Sequence, residues 1–116
     1  MASESVIQRE IGGAIALFMI ALGQEPEEAS NLDLILTLED GSRWSATVLT
    51  MAAINDIWER WEMSGECFNG RYFNCPDLLL VREAGIDSIC EVLENILATG
   101  GPVGDLMRLE DDDEID

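Results

Sequence analysis

Histidine and lysine are both absent from the 116 residues, and the six basic side chains are all arginine. Without histidine the chain lacks the usual general base near neutral pH and the commonest metal ligand. Serine–histidine and cysteine–histidine nucleophile pairs are therefore excluded. Cations are scarce against 24 Asp and Glu, which gives a formal net charge of −18. That balance opposes binding to nucleic acid or to an anionic membrane, since both require Lys and Arg to neutralise phosphate.

Cysteine is also sparse. Cys67, Cys75 and Cys90 are odd in number and have no CxxC spacing, so neither a zinc site nor a complete disulfide framework is indicated. Buried free thiols in a reducing cytosol are the expectation. The longest apolar run, residues 11–22, falls short of the roughly 20 residues needed to cross a bilayer. Its flank of Glu4, Arg9 and Glu10 is unlike the basic start of a signal peptide. A cytoplasmic location is expected.

No phosphate-cradling GxxxxGK[ST] sequence occurs, and no GxGxxG follows a strand pattern. Carboxylates are left as the only candidates for acid, base or metal chemistry. Catalysis would need two of them in a cleft that separates their pKa values, and no pair is marked out. The acidic end lacks the alternating ligands and central glycine of a calcium loop. The expectation is a protein without cofactor or metal that binds a macromolecule and is not an enzyme.

What the sequence does have is an apolar content of 47%, enough to bury one core in a chain of this length. Ser5 and Gln8 have capping-box spacing, and Ile7, Ile11, Ile15, Phe18 and Leu22 follow at helical intervals. This predicts a helix over about 6–22, capped by Gly23, although Gly12 and Gly13 weaken it. With Leu17, Met19 and Ile20 off the stripe, that helix would be apolar nearly all round and could serve as a homodimer face.

A strand follows in which Leu32, Leu34, Leu36 and Leu38 alternate with Asp33, Ile35, Thr37 and Glu39; Trp44, Ala46 and Val48 define its return. A three-residue Glu39-Asp40-Gly41 loop, with Gly41 at positive φ, sets Leu36 opposite Trp44 and Leu34 opposite Ala46. A two-residue Asp40-Gly41 turn would mix apolar with polar partners, so the longer loop is expected.

Ile54, Ile57, Trp58 and Trp61 predict a helix over about 51–63, ended by Ser64-Gly65-Glu66. Residues 67–77 read as a loop or short irregular strand. Leu78, Leu79, Leu80 and Val81 suit a strand buried on both faces. Ile86, Ile89, Cys90, Leu93, Ile96 and Leu97 predict a last helix, stopped by Thr99-Gly100-Gly101-Pro102. The expected fold is α+β, in the order α-β-β-α-β-α: a small antiparallel sheet, made of a hairpin and a third strand, packed with about three helices. Residues 1–104 would form one domain and 105–116 an acidic tail.

Asp56, Glu59 and Glu62 flank the middle helix, Glu66 follows it, and Asp87, Glu91 and Glu94 flank the last one. Glu39 and Asp40 lie at the hairpin tip. These nine are the candidate partner-binding residues. A surface so nearly of one sign costs stability through self-repulsion, and a basic partner is its complement.

Several stretches carry a resemblance. They are Leu36-Thr37-Leu38-Glu39-Asp40-Gly41-Ser42-Arg43-Trp44-Ser45-Ala46-Thr47, then Ile57-Trp58-Glu59-Arg60-Trp61, then Ser64-Gly65-Glu66-Cys67-Phe68-Asn69-Gly70-Arg71-Tyr72-Phe73, and Asp77-Leu78-Leu79-Leu80-Val81. They lie within residues 34–100, a little over half the chain, a stretch that resembles the small acidic immunity proteins of bacterial toxin–immunity systems. The resemblance implies a protein that binds and neutralises a cognate toxin by occluding its active site. A toxin that attacks nucleic acid has a basic cleft, which electrostatic steering lets an acidic inhibitor reach at up to about 10⁸–10⁹ M⁻¹s⁻¹ at low salt. Two other readings are an acidic secretion chaperone that dimerises through its first helix, and a nucleic-acid mimic that inhibits a defence enzyme.

Overall fold

The computed structural model describes residues 4–109. Its elements run β1 (Glu4–Ile11), β2 (Ala14–Ala21), a 3-10 turn (Pro26–Glu28), β3 (Asn31–Thr37), β4 (Arg43–Leu49), α1 (Met51–Ser64), α2 (Glu66–Gly70), β5 (Leu78–Leu80), α3 (Ile86–Ala98) and β6 (Met107–Arg108). The class is α+β, but the expected order is wrong from the first residues. Four strands precede the first α-helix, and the sheet has six strands instead of three.

The error lies in residues 6–22, where a hairpin stands in place of a helix. Gly12 and Gly13 both take positive φ, +56° and +88°, which is the two-residue turn whose twist matches paired strands. The turn sets Ile11 opposite Ala14 and Ile7 opposite Phe18. Along β2, Ala14, Ala16, Phe18 and Ile20 are buried and alternate with Ile15, Leu17 and Met19 on the other face. Apolar residues on both faces gave a false helical stripe, while the glycine pair carried the true signal. No helix is available here to act as a dimer face.

The β3–β4 hairpin has the register expected from the three-residue loop. Leu36 lies opposite Trp44, Leu34 opposite Ala46, and Gly41 has φ +87°. From β4 the chain crosses through α1 and α2 to β5, which runs parallel to Thr47, Val48 and Leu49. β6 pairs antiparallel with Trp44 and Ser45, so two short strands share one edge of β4. The sheet is therefore mixed, in the order β1-β2-β3-β4-β5 with β6 beside β4. Leu78 and Leu79 are half-buried and Leu80 is exposed, unlike the doubly buried strand expected. Of the segment expected as a tail, residues 107–108 form β6, and 110–116 lie outside the described residues.

α3 covers one face of the sheet. Its Ile86, Ile89, Leu93 and Ile96 join Phe18, Leu34, Leu36 and Val48 in the main core. Among the described residues the other face is covered only at its β4–β5 corner, where Leu49, Ala53 and Ile54 form a second small core with Ile57, Trp58, Phe73 and Leu78. Val48 and Leu49 are neighbours in β4 and so point to opposite faces, which places α1 and α3 on opposite sides of the sheet. The rest of the α1 side, built on Val6, Ile15, Leu17, Met19 and Ile35, has no helix over it among the described residues.

Candidate protein-binding site

α1 begins where the hydroxyl of Thr50 accepts the Ala53 backbone N–H at 3.2 Å, an N-cap that satisfies one orphan donor. It ends at Gly65, whose φ of +92° lets its N–H return to the Trp61 carbonyl at 3.1 Å. Ala53, Ile54, Ile57 and Trp58 face the small core, and Asp56, Glu59 and Glu62 are exposed.

The segment that follows was not foreseen. α2 is a single turn in which Cys67, Phe68 and Asn69 take φ of 50°, 57° and 60° with ψ of 48°, 53° and 35°. Three consecutive residues with side chains are wound in the left-handed sense, at a cost of roughly 1–2 kcal/mol each, less for asparagine. The surroundings hold this turn in place. The Trp58 indole N–H donates to the Gly70 carbonyl. A Cβ at Gly70 would lie 3.1 Å from the Glu62 backbone nitrogen and 3.2 Å from the Trp58 carbonyl, so only glycine lets the turn approach the helix this closely. Phe73 then closes the corner, stacked on Trp61 at 4.9 Å and edge-on to Trp58 at 5.8 Å.

The consequence is that large apolar side chains are exposed along an acidic segment. Phe68 is 66% exposed, Tyr72 54% and Met63 90%, and the Arg71 guanidinium lies over the Phe68 ring at 5.1 Å. Glu59, Glu62 and Glu66 are exposed on the same α1–α2 segment. Aromatic anchors surrounded by charge are the usual composition of a binding hot spot. The paired glycines, Gly65 and Gly70, around Asn69 were the available signal for a turn that displays its side chains.

The other candidates lie elsewhere. Glu39 sits against Gly13 at the tip of the first hairpin, and Glu39, Asp40, Gly12, Gly13 and Leu97 line one shallow cleft. Glu94 borders the adjoining cleft with Ile11, Gly12 and Leu97. Glu39, Asp40 and Glu94 are therefore gathered at one end of the sheet, by the end of α3. Asp87 lines a separate cleft with Arg9 at the start of α3, and Glu91 lies between, exposed. Since α1 and α3 cover opposite faces, the nine acids do not form one patch.

A polar cluster that the sequence gave no hint of lies on the open face. Asp77 accepts hydrogen bonds from Ser45 Oγ at 3.2 Å and Thr47 Oγ1 at 2.8 Å, and the Asp33 carboxylate lies 3.4 Å from the same Thr47 oxygen. A hydroxyl has one proton to donate, and the shorter distance assigns it to Asp77. The neighbouring Cys75 thiol has its pKa raised by burial, as does that of Cys90 in α3, so both are held in the neutral form. Among the described residues no three His, Cys, Asp or Glu side chains gather to hold a metal ion, and no helix is long and apolar enough to cross a membrane.

Comparison with known proteins yields no match: no family model, no curated protein and no solved structure is similar to this chain.

Proposed function

We propose that this is an immunity protein, which binds a cognate bacterial toxin with a basic cleft and neutralises it by occluding the active site in the cytoplasm where both are made. The observation that carries this reading is the exposed Phe68 ring held on a left-handed turn, with Met63 and Tyr72 exposed on either side of that turn in the chain and Glu59, Glu62 and Glu66 exposed on the same segment. The acidic flank supplies steering and register, and the apolar anchors supply affinity by leaving water. A molecule of net charge −18 would meet such a cleft under strong attraction and reject nucleic acid.

The secretion-chaperone reading loses its dimer face, because the apolar first helix on which it depended is a β-hairpin. The nucleic-acid mimic calls for a continuous acidic track, and the acids here are divided between opposite faces of the sheet.

The test is co-expression with the product of an adjacent gene encoding a large secreted protein with a variable C-terminal domain. Growth protection, and a complex whose affinity falls with salt and with Phe68→Ala, are expected. Turnover of a small substrate by the purified protein, or a tightest ligand that is uncharged and indifferent to ionic strength, overturns the reading.

A further inference from the structure

β1 is eight residues long, regular and free of proline, and among the described residues it pairs only with β2. Sheet edges are ordinarily blunted by lysine, proline, a bulge or a short length, because their unpaired backbone groups recruit other strands. β1 has no lysine, proline or bulge; its one edge device is the charged pair Arg9 and Glu10, with the Arg9 guanidinium donating to the Gln8 carbonyl at 3.2 Å.

The register shows which groups face outward. A two-residue turn closes on a pair that exchanges both backbone hydrogen bonds, here Ile11 and Ala14, and such pairs alternate along an antiparallel ladder. Arg9–Ala16, Ile7–Phe18 and Ser5–Ile20 are thus the bonded pairs. The N–H and C=O groups of Val6, Gln8 and Glu10 point away from β2; the Gln8 carbonyl accepts the exposed Arg9 guanidinium at 3.2 Å, and the others face solvent. Their side chains share the uncovered sheet face, where Val6 lies beside Met19, Gln8 beside Leu17, and Glu10 beside Ile15. Leu17 in turn lies beside Ile35. Along β1 this face offers an apolar, a neutral and a carboxylate side chain; the cation of the strand, Arg9, belongs to the opposite face and donates to the Gln8 carbonyl.

We infer that the β1 edge is a docking site for an extended basic segment of a partner protein, which adds a seventh strand through the outward-facing backbone groups of Val6, Gln8 and Glu10 and displaces the exposed Arg9 guanidinium from the Gln8 carbonyl. Chain charge decides the occupant. A second copy would bring together two molecules of net charge −18, whereas a strand bearing Lys or Arg opposite Glu10 and an apolar residue opposite Val6 complements both charge and surface. The inference takes the toxin of the proposed function as the source of that strand, and it adds a contact distant in sequence from Phe68.

The probe is the synthetic peptide acetyl-Lys-Thr-Gln-Thr-Val-Thr-Lys-amide. Antiparallel to β1, it can set lysine, glutamine and valine opposite Glu10, Gln8 and Val6. Titrated into the full chain under NMR observation, it is expected to shift the amides of Val6, Gln8 and Glu10 and to slow their exchange with solvent. Gln8→Pro removes only a solvent-facing N–H, as tolerated on edge strands, and is expected to abolish these effects while the melting temperature stays close to wild type.

A second arm needs no variant: the same peptide N-methylated on its pairing side keeps the charge and cannot pair. Equal binding of both peptides reduces the contact to unspecific attraction and overturns the inference, as do shifts that map away from β1. A wild-type dimer in light scattering, dissolved by Gln8→Pro, assigns the edge to a second copy and also overturns it. Toxin neutralisation is read by growth protection, separately from peptide binding, so loss of peptide pairing removes the edge site alone, and loss of protection removes the toxin alone.

Discussion

The carboxylate of Asp40 grips Ser42 twice: Oδ1 accepts the Ser42 backbone N–H at 2.9 Å and its hydroxyl at 2.6 Å. The Ser42 oxygen in turn accepts the buried Trp44 indole N–H at 3.1 Å, and the Arg108 guanidinium of β6 lies over the Trp44 ring at 5.7 Å. The tip of the central hairpin is thereby tied to its core tryptophan and to the last strand through one serine.

Ser42→Ala leaves the Trp44 N–H in the core without an acceptor. A loss of about 1–3 kcal/mol in chemical denaturation is expected, the cost of an unsatisfied buried donor. In the Trp44→Phe background the same substitution should cost much less, because the orphaned donor is gone. Equal losses in both backgrounds would show that the indole bond carries no stability.

Asp40 also gives the molecule a signature in acid. The Ser42 hydroxyl, the Ser42 N–H and then the charge of Arg108 hold its carboxyl below the ordinary aspartate range. A folded pKa below the unfolded one means that the stabilisation is fully present above the unfolded value, near pH 4, and is lost as pH falls through the folded value. Asp40→Asn should therefore lie below wild type in melting temperature at neutral pH and converge with it in strong acid. A constant gap across that range would remove the ionised carboxylate as the cause.

Phe18 and Leu22 separate hairpin from helix by mutation. Phe18 is fully buried between Ile7 and Leu34, so Phe18→Ala should cost about 3–5 kcal/mol. Leu22 belonged to the expected helical stripe together with Phe18, yet it is 60% exposed. Leu22→Ala should change stability by less than about 0.5 kcal/mol. Comparable losses at both positions in urea titrations would restore the helix.

That contrast shows how much could be read from the sequence and why. Alternation along Leu32, Leu34 and Leu36 was unambiguous because its opposite face carries Asp33 and Thr37, so period two was visible and the register followed from Gly41. β2 has Ile15, Leu17 and Met19 on its second face, so both periods fitted and only Gly12-Gly13 discriminated. The last helix was legible from its period, the acidic α1 flank from its spacing. The left-handed turn depends on tertiary contacts of Gly70 with Trp58 and Glu62, and no local pattern encodes them.

Gly85 joins the two halves of the molecule. Its N–H donates to the Ala29 carbonyl at 2.8 Å, its φ is +105°, and a Cβ there would lie 2.7 Å from the backbone oxygen of Glu27. Gly85→Ala combines an unfavourable φ with a collision against main chain that no rotamer relieves. More than about 2 kcal/mol should be lost, with the 3-10 turn displaced from the start of α3. A melting temperature within a degree or two of wild type would show that the close approach is not maintained in solution.

The left-handed turn offers the sharpest test of strain held for binding. Phe68 occupies a conformation that costs an L-residue roughly 1–2 kcal/mol, and its ring is 66% exposed, so it gains little from the core in return. Glycine adopts that conformation freely but loses about 0.5–1 kcal/mol more backbone entropy on folding. Phe68→Gly should on balance raise stability by about 0.5–1 kcal/mol. If the ring is an anchor, the same variant should bind the toxin at least about tenfold more weakly, since a hot-spot side chain contributes more than 1.4 kcal/mol. Phe68→Ala keeps the strain and loses only the ring, so it should weaken binding equally without the gain in stability. Denaturation curves and calorimetric titration of the three proteins separate the two effects. A Phe68→Gly protein less stable than wild type would mean that the turn is not strained, and full affinity in both variants would mean that the exposed ring is not where the partner docks.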